Sequence, residues 1–440
     1  MAEVSFICKR TVISTKPVEP GKFSPLSGLD RIMEHNHLRL VFYYNLPMRR
    51  RPGELTKKLR ESISEMLSAF PVVVGRLLRT PEGHWSIKCN DAGVRMVEAK
   101  VNGTVEEWLQ NVDREKELKL VYWEEMSHKP YFWSTFYVQI TEFECGGLAI
   151  GLSCTHMLSD PICATMLMKA WADTTLRGEI TSPPLFLPLP SPTQGNNNKP
   201  NLNSINHYKS ATQGSSALIS EMKQATISLH FNEEMVRNCI AIAGAGLTPF
   251  EALTALFWTR ISIIKGVQTG LADMCICLDT RQVLGLDRSF FGNCMMCKKV
   301  VQLQGDESGL NRVAEAAALI QEAVSRMERD EVMELIEWLE REKCKNPPLM
   351  NGANLVCVNL ESVGSYSVVF EENAMPLRAS YYIEPAGGAG QLVVLPAGGG
   401  GGGRVVAVTL PEHEAQKLLE DALIRQFAPT VIMGLNKKVS

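Results

Sequence analysis

The chain lacks a dominant charge: 45 Lys and Arg stand against 48 Asp and Glu, for a net charge of -3. A balance so close to neutral, with no large basic segment, excludes the electrostatic footprint of a nucleic-acid-binding protein. The densest basic stretch, Arg49, Arg50 and Arg51 followed by Lys57, Lys58 and Arg60, reads as a solvated loop and helix start. A run of about 18 uninterrupted apolar residues is also missing, so no bilayer-spanning helix is expected. Nor does an apolar signal region open the chain, since Glu3, Lys9 and Arg10 interrupt it. Cysteine is not scarce, but the 12 residues are scattered, and free thiols in a reducing compartment are the expectation.

Some catalytic patterns stop one residue short. Gly151-x-Ser153 lacks the second glycine of a nucleophile elbow, because Thr155 stands there. His413-Glu414 lacks the second histidine of a zinc-protease helix. Cys275, Cys277, Cys294 and Cys297 are spaced like zinc ligands, yet they fall in segments 274–278 and 295–301 that read as strands. Structural zinc sites draw their ligands from tight turns. These thiols therefore read as small core residues, and no metal or redox cofactor is expected.

What is present is ordinary globular material, with 440 residues, 45% hydrophobic and 21% charged. That length suggests about two domains. Apolar residues at Leu55, Leu59, Ile63, Met66, Leu67 and Phe70 predict a helix that Pro71 stops, followed by a strand over 72–78. Residues 137–140 and 147–153 predict a hairpin turned around Glu144, Cys145 and Gly146. From 183 to 214 the composition shifts to Pro, Asn, Ser and Gln, a long surface crossover. The expected units are residues 1–182, a linker over 183–220, and residues 221–440. Beyond the linker, 226–231 reads as a strand with Asn232 capping a helix. Thr248, Pro249 and Glu251 form a capping box for a helix to Ile264. Residues 310–340 and 412–427 read as single helices, and the glycine run 398–403 as a disordered hairpin loop with no helix after it to cradle phosphate. Strands and helices mix without a strict βαβ rhythm, which predicts an α/β pair of two-layer units of similar size.

The most informative stretch is 146–160. A buried strand delivers His156 to a turn, and Asp160 then caps a helix opened by Pro161. A histidine at a strand-to-helix junction has a rigid backbone and a ring free to take a proton from an alcohol or amine. The plainer reading of a lone His beside a capping Asp is structural.

A resemblance sharpens this. His156-x-x-x-Asp160 after Cys145-Gly146-Gly147 resembles the H-x-x-x-D signature of the BAHD acyltransferases, which use acyl-CoA donors. Leu26-Ser27-Gly28-Leu29-Asp30 resembles the family's L-S-x-L-D. Phe70-Pro71-Val72-Val73-Val74-Gly75-Arg76-Leu77 is similar to Y-P-L-A-G-R-L, Thr248-Pro249-Phe250-Glu251-Ala252-Leu253 to S-x-F-E-A-L, and Phe290-Phe291-Gly292-Asn293 to Y-F-G-N. These stretches follow the family's order across nearly the whole chain. The resemblance implies a chloramphenicol-acetyltransferase-like fold, two domains joined by a long crossover loop with a channel between them. It implies His156 as general base in that channel. It also implies Asp160 as a structural residue paired with Arg281 of Asp279-Thr280-Arg281. Acyl-CoA would be substrate or ligand, with no other cofactor.

The second family signature, D-F-G-W-G-K-P, is degenerate here: Val369, Phe370, Glu371, Glu372 and Asn373 precede Ala374-Met375-Pro376. Pro161 also replaces the glycine usual after the Asp. Segments 87–95, 139–143 and 352–360 resemble the eceriferum-type clade of plant cuticular wax formation. That resemblance implies an accessory role in very-long-chain fatty acid elongation, with a 3-ketoacyl-CoA synthase as partner. It further implies a monomeric cytoplasmic protein held at the endoplasmic reticulum through that partner. The intact His156 and Asp160 leave a second outcome, an acyl-CoA-dependent O- or N-acyltransferase.

Overall fold

The computed structural model describes residues 3–19, 21–46, 53–81, 83–190, 205, 208–209, 223–300, 310–342, 354–386 and 388–435. The basic residues 49–51, most of the crossover 183–214 and residues 352–353 lie outside these.

Sixteen strands are described. They are β1 Val4–Val12, β2 Phe23–Pro25, β3 His37–Tyr44, β4 Arg76–Arg79, β5 Trp85–Lys88, β6 Val94–Val101, β7 Phe136–Phe143, β8 Leu148–Thr155 and β9 Gln224–Phe231. The remainder are β10 Met274–Asp279, β11 Met295–Lys299, β12 Leu355–Asn359, β13 Arg378–Glu384, β14 Gln391–Pro396, β15 Arg404–Pro411 and β16 Thr430–Met433. They build a six-stranded sheet (β1-β6-β7-β8-β3-β13), a seven-stranded sheet (β11-β10-β12-β14-β15-β9-β16) and a small sheet (β2-β5-β4). Both large sheets mix parallel and antiparallel pairs. Helices such as Glu54–Leu67 and Pro161–Arg177 lie on the first sheet, while Pro249–Ile264 packs on the second. This is the α/β layered architecture expected. The strand β13 comes from late in the chain yet pairs with β3, so the first sheet is completed by the 221–440 half.

Local chemistry explains most elements. Thr248 and Glu251 exchange the two bonds of a capping box, and Asn232 accepts from Met235 N. In the β7–β8 hairpin Gly146 takes the positive φ the turn needs (86°). Every residue of β8 is buried, as a strand covered on both faces must be.

Several expectations are corrected. The strand expected at 72–78 begins only at Arg76, because the preceding backbone bonds locally, Val73 N to Phe70 O and Gly75 N to Val72 O. The single helix expected over 310–340 is two, Leu310–Ser325 and Arg329–Glu342. Between them Met327 is buried, and Lys298 Nζ ties Arg326 O and Glu331 Oε2 together at 2.9 and 2.7 Å. The closing helix also divides, into Glu412–Leu419 and Ala422–Gln426, since Asp421 restarts it as an N-cap and binds Arg260 at 2.8 Å. The glycine loop 398–403 is a bonded hairpin connection, with Arg404 NH1 donating to Gly402 O and Gly403 O at 3.0 Å each. The free-thiol expectation fails at one pair. Antiparallel β10 and β11 set Cys277 opposite Cys297 with 4.2 Å between Cα atoms, and the two form a disulfide. The other described cysteines are free.

Candidate active site

β8 ends at Thr155, whose N–H donates to Thr135 O at 3.1 Å, and His156 N donates to Asn36 O at 2.9 Å. These bonds fix the backbone on which the His156 ring stands. The ring is fully buried.

Its Nδ1 lies 2.9 Å from Asn293 Oδ1. The orientation of that amide is set from its other end. Asn293 Nδ2 donates to His156 O at 2.7 Å and to Asp30 Oδ1 at 2.8 Å, and both of those atoms can only accept. The amide oxygen must therefore face the ring, so Nδ1 carries the proton. Nε2 is left with a lone pair in the neutral imidazole. Burial pushes the ring's pKa below its usual 6.5, which keeps it neutral at pH 7. Nε2 is buried and has no hydrogen-bond partner among the described residues. A neutral ring with an unpartnered lone pair is the state a general base needs.

Asp30 is itself held, its Oδ2 accepting from Ser27 N at 2.8 Å and Ser27 Oγ at 2.7 Å in a short capping box. Three separated motifs thus converge as Asp30, Asn293 and His156. Sequence reasoning quoted the first two stretches as family marks but did not place Asp30 or Asn293 at the site. The signal available was a polar residue, Asp30 or Asn293, closing each stretch.

Asp160 does different work. Its Oδ1 caps the Pro161–Arg177 helix through Cys163 N at 2.9 Å. Its Oδ2 accepts from Arg281 NH2 at 2.9 Å and from Cys294 N at 3.0 Å. Arg281 also bonds Asp279 Oδ1 at 2.8 Å and Gly292 O at 2.7 Å. The contact between Asp160 and Arg281 is therefore formed, at 0% and 4% side-chain exposure. It locks the helix behind His156 to the loop carrying Asn293.

The degenerate segment is not gathered around the ring. Phe370 is buried edge-on to Trp171 and Tyr44, with centroids 5.0 and 5.7 Å away. Val369 and Glu371 are half-buried, and Glu372 and Asn373 are exposed. Asn373 takes a left-handed backbone (φ 61°), which glycine adopts freely and asparagine tolerates. The loop thus contains one left-handed position, at Asn373.

This fold places a buried histidine with one unpartnered ring nitrogen at the end of a buried strand. The Transferase family model matches residues 2–423, and the chain belongs to that family, the BAHD acyltransferases. Among relatives it is 27% identical to Protein ECERIFERUM 26-like of Arabidopsis thaliana, over 93% of this chain and 92% of that protein. It is 26% identical to Protein ECERIFERUM 2 of the same plant, over 93% and 96%. In fold it is similar to vinorine synthase (TM-score 0.73, 20% identity, 98% of this chain and 100% of that one). It is also similar to F. sporotrichioides TRI101 in complex with coenzyme A and T-2 (TM-score 0.74, 12% identity, 94% and 100%). No helix among the described residues is long and apolar enough to cross a membrane.

Proposed function

We propose that this chain is an accessory of very-long-chain fatty acid elongation for cuticular wax, binding acyl-CoA and working with a 3-ketoacyl-CoA synthase at the endoplasmic reticulum. The observation that carries this reading is the altered second signature, with Val369, Glu371, Glu372 and Asn373 in place of the family's acid, glycines and tryptophan. Similarity to two ECERIFERUM proteins over nearly the full length supports it.

A second reading is favoured by the geometry at His156. With Nδ1 fixed as donor and Nε2 free to accept, His156 would deprotonate an alcohol or amine. Its oxygen or nitrogen then attacks the thioester carbonyl, and the CoA thiolate leaves. Asp160 and Arg281 would hold the scaffold without touching the reacting atoms.

Coexpression in yeast with a plant condensing enzyme separates the two. Acyl chain profiles are compared for the native chain and His156→Ala. Longer acyl chains that persist in the variant are the expected result. Lengthening that disappears in a variant that folds normally would move the function to His156. No lengthening with several condensing enzymes would sink the accessory reading in favour of an ordinary transferase.

A further inference from the structure

Five buried polar atoms with no hydrogen-bond partner among the described residues belong to one neighbourhood: His37 Nε2, Arg39 Nε, Arg114 NH1, Thr135 Oγ1 and His156 Nε2. The strand register brings them together. His37 lies opposite Thr155 on one side and Glu384 on the other, and Thr155 N is bonded to Thr135 O. One row therefore crosses β8, β3 and β13 and begins just before β7. Arg39, two residues along β3, shares the face of His37. Arg114 donates to Glu384 Oε1 at 2.5 Å and lies over the Tyr382 ring, 5.4 Å from its centroid. Tyr382 is in turn the β13 partner of Arg39.

Arg39 feels the Glu384 carboxylate from a distance but has no direct partner in this row. Glu384 is taken by Arg114 and by Ala386 N at 3.3 Å. Arg39 is half-buried and forms no ion pair or hydrogen bond among the described residues. The other carboxylate near it, Glu125, is exposed and accepts from Trp123 Nε1 at 3.0 Å. Trp123 stacks on the His37 ring at 4.5 Å, roofing the row. Leaving a guanidinium partly desolvated beside unpaired donors is unfavourable unless an anion completes the set. A planar guanidinium matches a carboxylate in shape, with two parallel donors.

We propose that Arg39, with Arg114, His37 and Thr135, forms a carboxylate-binding subsite next to His156. A ligand that reaches His156 then carries a carboxylate as well as its reacting group. This deepens the acyl-CoA reading above and rests on it. The carboxylate has two possible carriers, the thioester or the hydroxyl compound that meets it.

Isothermal titration calorimetry measures binding to the full chain for two matched pairs. Malonyl-CoA is compared with propionyl-CoA, and 3-hydroxybutyrate with its methyl ester. The charged member of at least one pair should bind tenfold or more tightly, the scale of a charge-assisted bond. Arg39→Met should erase that preference and Arg39→Lys should retain part of it. A preference in the thioester pair assigns the carboxylate to the acyl donor, and one in the alcohol pair to the acceptor. Equal binding within both pairs, or a preference that survives in Arg39→Met, overturns the subsite. Failure of both thioesters to bind would instead sink the acyl-CoA reading, with the subsite then standing on the alcohol pair alone. Far-UV circular dichroism of each variant separates lost binding from lost folding.

Discussion

At the scale of single residues, the site is held by side chains that have little freedom to change. Asp160 fills both oxygens with partners from a helix, an arginine and a loop. Asp160→Asn would leave the buried Arg281 without its inner counter-charge. Breaking one side of a buried pair costs about 3–5 kcal/mol, so urea unfolding should show a loss of that order. His156→Ala should lower any acyl transfer by about 10²–10⁴-fold, read as kcat in a thioester-release assay, and should cost about 1–3 kcal/mol of stability by leaving the buried Asn293 Oδ1 unpaired. Acid should also weaken the fold through its histidines. Burial lowers the pKa of His156, and it lowers His37 to about 3. A histidine that is harder to protonate when folded contributes stability above the unfolded pKa. That contribution is lost as pH falls below about 6.5, because the unfolded chain then binds the extra proton. For His37, whose folded pKa lies well below that window, stability should therefore drop between pH 6.5 and 5 by about 1.4 kcal/mol per unit, and His156 shifts it in the same direction. His37→Gln should flatten that slope in a pH series of denaturant melts.

At the scale of elements, two features set the tolerance of the strands and helices near the site. Gly151 lies mid-way along β8, where an added Cβ would meet Leu120 O at 2.2 Å, a backbone atom with no rotamer to yield. Gly151→Ala is expected to destabilise by about 1–3 kcal/mol or more, visible as a lowered Tm. Thr248→Ala removes one half of a capping box and should cost about 0.5–2 kcal/mol. The same contrast explains what could be read from sequence. The caps at Asp160, Asn232 and Thr248 are written within four residues and were legible. So was the hairpin around Gly146, where turn chemistry and apolar runs agree. The break at 326–328 was not, because it depends on Lys298 reaching across from β11. The Cys277–Cys297 bridge needed a strand register, which spacing alone does not supply. Asp30 and Asn293 were missed for a similar reason. Their importance lies in a contact between positions 263 residues apart, and only the family's motif order hinted at it. His156 and Asp160 were legible as a strand-to-helix junction and its cap, whereas Arg281 and the role assigned to each came only through the resemblance.

At the scale of the molecule, the two sequence halves are sewn together by more than a linker. β13 completes the first sheet. Arg378 on that strand donates to the fully buried Glu117 at 2.9 Å, as Tyr43 does at 2.8 Å. Arg281 reaches back to Asp160. Calorimetry should therefore show one cooperative transition, with calorimetric and van't Hoff enthalpies in agreement. Two resolved peaks would mean that these ties are weaker than their burial indicates.

The late arrival of β13 has a consequence for how the chain is made. β8 ends at Thr155, but the strand that closes the edge beside β3 begins only at Arg378. At 5–20 residues per second, a ribosome needs on the order of 10–45 s to cover that interval. Throughout it, the nascent first sheet exposes an unpaired apolar edge, which is the kind of surface that attracts another chain. Newly synthesised copies would depend on a holding chaperone, and slowing translation in the second half would lower the soluble yield.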